Sequence, residues 1–531
     1  MIRVFIFISV LCLGWNTIAQ PVIEWKKCYG GSAGEVSSSI QQTLDGGYIV
    51  AGRTASNDSD VVGNHGNFDY WITRLNASGE LCWQKCLGGS SFDVGYSVWQ
   101  TTDGKYIVAG LAASSDGDVT GNHGLFDYWI IRLDTEGNIL WKKCLGGSGT
   151  DEANAIQQTS DGGYIVAGST DSHDGDVTGL HGYSDDYWVV KLDSTGVIQW
   201  QKCLGGSNQD AGKDISQTVD GGYIVAGFSQ SNDGDVSGNH GGDSDCWIVK
   251  LDAAGTIEWQ KCFGGSWVEY AYSIRQTSDK GYIIAGFTSS NDGDVSGLHW
   301  LGGAWIPYDY WIVKIDSSGT IQWQRCLGGF GTDDATCVRQ TSDGGFIVSG
   351  FTESDDGDVT GYHPGGPNCS FCWDYWIVKL NSTGQIEWQK CLGGNDWDQA
   401  YSISETSDGG YIVAGQTESN DGDITGNHGT ADQWVIKFSG TVSIPEKREN
   451  RSLAIRPNPA SDYIILETDK DTRNGTISVI DLLGRRLLTQ QGADNQQIQM
   501  DIHSILPGIY SVLVEFHDTQ RTTGLFVKIN N

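Results

Sequence analysis

The stretch DGGYIVAGFSQSNDGDVSGNHGGDSDCWIVKLDAAGTIEWQKC, residues 220–262, decides the fold. Three short runs rich in β-branched and aromatic residues, YIVAGFS, CWIVKLD and TIEWQKC, are divided by one long polar loop and by the tight turn AAG. A fourth run, NQDAGKDISQT, precedes the turn at Asp220. Runs of this length between Gly-containing turns predict four antiparallel strands.

The unit recurs. A motif W-x-[KR]-C-x-G-G begins at Trp25, Trp83, Trp141, Trp200, Trp259, Trp323 and Trp388, and each copy carries versions of DGGYIVAG and DYWIVKLD. Four short strands repeated seven times predict an all-β, seven-bladed β-propeller of four-stranded antiparallel blades. A stacked solenoid is the alternative, but its repeats are usually shorter and its ends need atypical caps. Residues 22–28 read as a lone outer strand, and the seventh unit stops after its third strand at 433–438. Pairing these two would close the ring and remove two exposed edges.

Composition agrees. The 531 residues include 74 Gly, 21 Trp, 21 Tyr and only 2 Met, which suits many turns and short strands better than long helices. With 33 basic against 66 acidic side chains the net charge is −33, which argues against nucleic acid and anionic membrane as partners. Residues 1–19, with Arg3 before an apolar run, read as a secretory signal peptide cut after Ala19, and no later stretch is long and apolar enough to span a bilayer.

In such a wheel the loops joining strands two to three and four to one share a face. These are the long, variable ones here, so a binding site is expected there. Several residue sets on that face invite a functional reading. An acid lies ten residues after each motif Trp, at Glu35, Asp93, Asp151, Asp210, Glu269, Asp333 and Asp398. These seven are either a carboxylate ring that captures a ligand or acceptors for loop N–H groups, and their regular placement favours the second role.

Asp116, Asp118, Thr120, Gly121 and Asp127 follow the oxygen-ligand order of calcium-binding loops, as do Asp58, Asp60, Gly63 and Asp69, and Asp421, Asp423, Thr425, Gly426 and Asp432. Calcium is thus a candidate cofactor, although the closing Glu is absent and aspartates that bond backbone two residues on give the same pattern. The repeated His65, His123, His181, His240, His299, His363 and His428 come from separate blades, too far apart for one zinc site, and read as structural hydrogen-bonding groups. The seven motif cysteines read as small core residues, and Cys369 with Cys372 as a local disulfide.

Repeats five and six break the symmetry with longer loops carrying Trp300, Trp305, Tyr308, Tyr362, Phe371 and Trp373. Aromatic surface beside acids is expected where a glycan or protein docks. The competing reading is a glycoside hydrolase or lyase using Asp333 and Asp334. It lacks the recurring arginines of sialidase-like sites, and no nucleophile elbow, zinc-protease helix or phosphate loop is present, so no catalytic residue is assigned.

Beyond residue 440 the charge is nearly balanced and SIPEKRENRS, within 441–452, reads as a linker. The motifs IRPNPASDYIIL, ISVIDLLGRRLL and LPGIYSVLVEFHDTQRTTGLFVKI follow in 453–531. They resemble the C-terminal sorting domain of cargo for the type IX secretion system of Bacteroidetes. By position, Pro457, Asn458 and Pro459 match its opening turn, Asp481, Gly484 and Arg485 its central hairpin, Gly508 and Tyr510 the next strand, and Lys528 the last. The resemblance implies a small immunoglobulin-like β-sandwich, recognition by the type IX machinery, and a product released or attached at the outer-membrane surface. The propeller, residues 20–440, is similar to secreted bacterial propeller repeats and is expected to be monomeric.

Overall fold

The structure, a computed structural model, describes residues 20–300, 302, 306–366, 369, 372–440, 453–467, 476–480, 486–491, 497–515 and 521–529. The expected signal peptide and linker, together with Trp305, Phe371, Asp481, Gly484 and Arg485, lie outside the described residues. The chain divides into two compact units, residues 1–442 and 443–531.

The first unit holds seven four-stranded antiparallel sheets. Blade one runs Glu35–Gln42, Tyr48–Thr54, Asp69–Leu75 and Leu81–Leu87, from inner to outer strand. The pattern repeats through blade six, whose outer strand is Ile386–Leu392. Blade seven supplies only Asp398–Glu405, Tyr411–Thr417 and Asp432–Phe438. Ile23–Tyr29 completes it, pairing antiparallel with Asp432–Phe438. The chain is a seven-bladed propeller whose first strand closes its last blade.

Burial explains why each strand has its composition. The third strands, such as DYWVVKL and DYWIVKL, are buried along their whole length because neighbouring blades cover both faces of the sheet, and they accordingly read as continuous apolar runs. Outer strands are mostly partly buried, with an exposed second position, and end in two buried residues. Each apolar cluster straddles two blades. One joins Ile107 and Tyr128 of blade two to Tyr164, Val166 and Trp188 of blade three. At the closure, Tyr48, Val50 and Trp71 of blade one join Ile412, Ala414 and Val435 of blade seven.

Directional bonds fix the blade-to-blade register. The third-strand Tyr128 hydroxyl donates to the Trp188 carbonyl of the next blade at 2.8 Å, and Tyr70, Tyr187, Tyr310 and Tyr375 repeat this at 2.8–3.1 Å. Blade seven has Gln433 at this position, and its Nε2 donates to Thr73 Oγ1 of blade one at 3.1 Å. Where the preceding blade supplies a tyrosine, the glycine of the IVAG-type segment admits it: a Cβ on Gly168 would lie 2.7 Å from the Tyr128 hydroxyl and 1.8 Å from the Glu152 carbonyl oxygen.

A second circuit runs round the opposite end. The side chain that ends each inner strand accepts an N–H from the first turn of the preceding blade. Leu44 N–H donates to Gln100 at 2.8 Å and Thr102 N–H to Gln158 at 2.8 Å. The series continues to Ser342 with Glu405, and Ser407 with Gln42 closes it at 2.7 Å. On that face too, third-strand cations pair with the DGG acids, as in Lys191 with Asp161 at 2.8 Å and Lys437 with Asp408 at 2.8 Å.

The second unit contains a three-stranded sheet (Ala454–Arg456, Tyr463–Glu467, Gln497–Asp501) and a four-stranded one (Arg486–Gln491, Thr476–Ile480, Gly508–Glu515, Arg521–Lys528). Ile464, Leu466 and Met500 from the first sheet and Val479, Val512 and Val514 from the second enclose one apolar cluster, a sandwich arrangement. The Pro457–Asn458–Pro459 turn lies against the final strand, where Val527 N–H donates to Asn458 Oδ1 at 2.9 Å. Tyr510 donates to the Leu506 carbonyl at 2.7 Å, and Lys528 is buried.

Closure by the first strand has a measurable consequence. A chain lacking residues 20–29 leaves one edge of Asp432–Phe438 unpaired and uncovers Trp434. In urea unfolding it is expected to lose at least about 3 kcal/mol, a large share of ordinary domain stability. Tyr128→Phe, which removes one buried bond, is expected to cost about 1 kcal/mol.

Candidate functional site on the long-loop face

Two loop families meet at one end of the wheel. The loop from strand two to strand three returns to the GGS loop that leads into the same blade: Ser207 N–H donates to Asp233 Oδ1 at 2.8 Å, and Asp235 N–H to the Gly205 carbonyl at 2.8 Å. Ser32 with Asp58, Ser90 with Asp116 and Asn395 with Asp421 repeat the first contact at 2.7–2.9 Å.

The seven acids that head the inner strands are fully buried. Each accepts an N–H from the second glycine of its GG pair, from Gly31 to Glu35 through Gly394 to Asp398, at 2.7–2.9 Å. Hydroxyls supply further bonds, as from Ser231 to Asp210 at 2.9 Å and from Thr288 to Glu269 at 2.7 Å. Glu35, Asp93, Asp151, Asp210, Glu269, Asp333 and Asp398 therefore organise the loops, the structural role their regular spacing allowed. They do not present a carboxylate ring to a ligand.

The calcium-like order is used differently as well. Its first aspartates (Asp58, Asp116, Asp421) hold the GGS loop, while the last (Asp69, Asp127, Asp432) are buried against histidine. His65, His123, His181, His240, His299, His363 and His428 bring Nδ1 to the aspartate that starts the third strand at 2.6–2.8 Å, and their backbone N–H groups donate to the same oxygen. The second aspartates Asp60, Asp118 and Asp423 follow the blade junctions, where Asp423 meets Lys26 at 3.1 Å. Among the described residues, the one set of three or more His, Cys, Asp or Glu side chains whose ligating atoms converge is Cys369, Cys372 and Asp396. The aspartates of the calcium-like order do not belong to such a set, and Oδ1 of Asp69, Asp127 and Asp432 is buried without a hydrogen-bond partner. Cys369 and Cys372 are joined as a disulfide.

The His–Asp pair also explains where insertions are tolerated. Four or five residues separate the partners in most blades, but ten separate His299 from Asp309 and eleven separate His363 from Asp374, with the bond kept at 2.7 and 2.8 Å. The two symmetry-breaking loops are looped out from a preserved anchor. They place Trp300 at the surface, 42% exposed, and set Tyr308 on Phe287 with ring centroids 4.6 Å apart. Tyr362 donates to the Cys372 carbonyl at 2.8 Å, and Trp373 packs between Phe351 and Trp397 at 4.9 and 5.0 Å. The neighbouring GGS-type loops add exposed Trp267, Phe330 and Trp397, so blades five to seven form an aromatic sector.

One feature escapes motif reading. Inner strands face the axis with the residue after the buried acid and with the one two further on. In blades one to seven these are Val36, Val94, Glu152, Ala211, Tyr270, Asp334 and Gln399, then Ser38, Tyr96, Asn154, Lys213, Tyr272, Thr336 and Tyr401. Every blade contributes to an axial cavity of about 420 Å³ from this set, joined by Arg53 and Phe351 from second strands. Neighbouring columns repeat almost unchanged round the ring, whereas these two differ in nearly every copy. Comparing the seven units position by position is the signal that would have found them. Asp333 and Asp334 also part company here: successive side chains of a strand face opposite ways, and only Asp334 lines the cavity.

Burial sets the titration of the junctions. It pushes Asp151, Asp186, Asp374 and Asp432 up to about 6, Asp333 to about 7 and Asp398 to about 8. The Asp309 bond raises His299. On the other face, against the pull of burial, bonds from Lys191 and Thr159 bring Asp161 down to about 2. Carboxyls raised on folding take up protons relative to the unfolded chain, so stability falls as pH rises from about 4 to 8. The histidine contribution is full below about 6.5 and is lost as pH rises through the folded value, in the same direction. The lowered DGG acids act only below about pH 4. The propeller is therefore expected to melt at least about 3 °C higher at pH 5 than at pH 8 by calorimetry. Because the aspartates of the calcium-like order do not converge on one point, excess calcium or EDTA is expected to leave that melting temperature unchanged.

Residues 454–528 match the family described as the secretion system C-terminal sorting domain. A curated relative, the regulatory protein FlaEY of Caulobacter vibrioides, is 26% identical over 251 residues, 43% of this chain, and the chain covers only 26% of that protein's length. Among solved structures, Sqt1 from Chaetomium thermophilum is similar at 10% identity and TM-score 0.38, covering 78% of this chain and 100% of its own. YCF48 bound to D1 peptide is similar at 10% identity and TM-score 0.37, with coverages of 79% and 99%. The extracellular domain of a hybrid two component system from B. thetaiotaomicron is similar at 9% identity and TM-score 0.21, with coverages of 97% and 76%. No helix among the described residues is long and apolar enough to cross a membrane. Residues 454–528 are a type IX secretion-system sorting domain, and the seven-bladed propeller that carries it is a secreted or outer-membrane surface-attached protein.

Proposed function

We propose that this protein is a non-enzymatic binding protein outside the cell, whose long-loop face docks an extracellular glycan or protein through the aromatic sector of blades five to seven. The observation that carries the reading is where symmetry fails. The framework residues repeat seven times, while the exposed Trp267, Trp300, Phe330 and Trp397 fall with the two longer loops in one sector of one face; of the other blades' long loops, that of blade three exposes Tyr183. Broad exposed aromatic groups at the end of a rigid scaffold are costly to leave in water, and they supply contact area with little conformational entropy to lose. The secreted or surface location puts that face in contact with extracellular material.

A glycan array and a binding screen against extracellular proteins, both with residues 20–440, test this. Ligands are expected that lose at least about tenfold in affinity on Trp300→Ala or Trp397→Ala, the effect of removing a buried aromatic anchor. The same variants should keep the wild-type melting temperature. Ligands bound equally well by both variants would place recognition elsewhere.

A further inference from the structure

The axial cavity is a separate feature from the aromatic sector, and one of its walls is chemically incomplete. Asp334 lines it, yet Asp334 Oδ1 is buried without a hydrogen-bond partner and no cation pairs with the carboxyl among the described residues. The charge that acts on it is another acid, Asp333. Asp334 is half-buried with one oxygen shielded and unpartnered, which is costly, and native folds keep such a group mainly where something else completes it.

The cavity's own cations lie against other groups, and Arg53 Nε is itself buried without a hydrogen-bond partner. Lys213 faces Glu152, whose charge acts on it directly, and its Nζ lies 5.9 Å from the Phe228 ring centre. The Arg53 guanidinium lies over Phe68 at 5.1 Å and near Phe92 at 6.0 Å. Beside Asp334 stand two tyrosines, Tyr272 from blade five and Tyr401 from blade seven, whose phenols are pushed up first by burial and further by the nearby Asp334 charge. The Tyr401 hydroxyl is spent on Gln399 Oε1 at 2.9 Å, so its ring is what remains for a ligand. Tyr272 is steadied edge-on against Tyr270 at 6.1 Å.

A carboxyl without a donor, flanked by aromatic rings, is complementary to an organic cation, which gains from both the charge and the ring faces. A cavity of about 420 Å³ accepts a small molecule. We propose that the axial cavity binds a small organic amine, primary or quaternary, with its positive charge seated against Asp334 between Tyr272 and Tyr401. Blades five, six and seven supply these groups; the other axial acid, Glu152 of blade three, has Lys213 as the cation acting on it. Burial holds Asp334 up at about 8, so the carboxyl gives up its proton when the cation enters at neutral pH.

The test is calorimetric titration of the full chain at pH 7.5 with choline, ethanolamine, putrescine, glucosamine and lysine methyl ester. Each is matched with a neutral or anionic analogue, in two buffers of different ionisation enthalpy. At least one amine is expected to bind better than its neutral analogue, with a buffer-dependent heat that reports proton release. Asp334→Asn is expected to weaken it at least about tenfold, and Tyr401→Leu to weaken it in the same direction, as cation–π and charge contributions require. Melting temperature controls for folding; Asp334→Asn removes an uncompensated carboxyl and should not lower it. Trp300→Ala should leave amine binding unchanged, which separates this site from the aromatic sector. Amines that bind no better than neutral analogues, anions that bind better than amines, or binding indifferent to Asp334→Asn would overturn the proposal.

Discussion

The buried carboxylate at the head of each inner strand is the constraint on which the wheel depends. It accepts from the second glycine of the preceding GG pair and from hydroxyls at the end of its own second strand and just beyond it, so it ties the crossover from one blade to the body of the next. The first glycine of the pair runs between this acid and the histidine-bound aspartate of the blade before; a Cβ on Gly205 would lie 2.5 Å from Asp186 Oδ1 and 2.6 Å from Asp210 Oδ2. Only a residue without a side chain passes there. The acid, the glycine pair, the histidine and the third-strand aspartate thus form one junction built seven times. Its stiffness lets the outer loops vary without disturbing the ring.

Much of this is legible in the sequence because a repeat averages out the noise of any one copy. Seven recurrences of the Trp–Cys–Gly–Gly motif set the blade count, and the unmatched strands at the two ends of the repeat region set the closure through Ile23–Tyr29. Which end carries the long loops also follows from strand order. The partners within a junction were harder to see. Histidine and aspartate stand four to eleven residues apart depending on the insertion, so no fixed spacing announces the pair. A calcium-like order arose because aspartates that serve three different protein donors happen to alternate along one loop.

The axial positions are illegible for the opposite reason. They carry no motif, since variation is what defines them. Asp334 was visible only as the neighbour of Asp333, although the strand turns the two carboxyls to opposite sides. The same logic separates scaffold from function across the molecule. Positions equal in all seven units, such as the buried third-strand tryptophans, hold the wheel together. Positions that differ, on the axis and in the sector of blades five to seven, give it a direction. A symmetrical ring cannot recognise an asymmetric ligand except through such departures, and the sorting domain requires only that the ring be delivered outside the cell.

The central claim is that seven equivalent junctions, including the one made by the first strand, close the ring. Native-state hydrogen exchange at the second glycine of each GG pair measures this most directly, because each of these amides donates to the buried acid. The account predicts that the Gly31 amide, at the closure, exchanges as slowly as those of Gly89, Gly147, Gly206, Gly265, Gly329 and Gly394. Fast exchange at Gly31, with protection retained at the other six, would contradict it by showing an open array in place of a closed wheel.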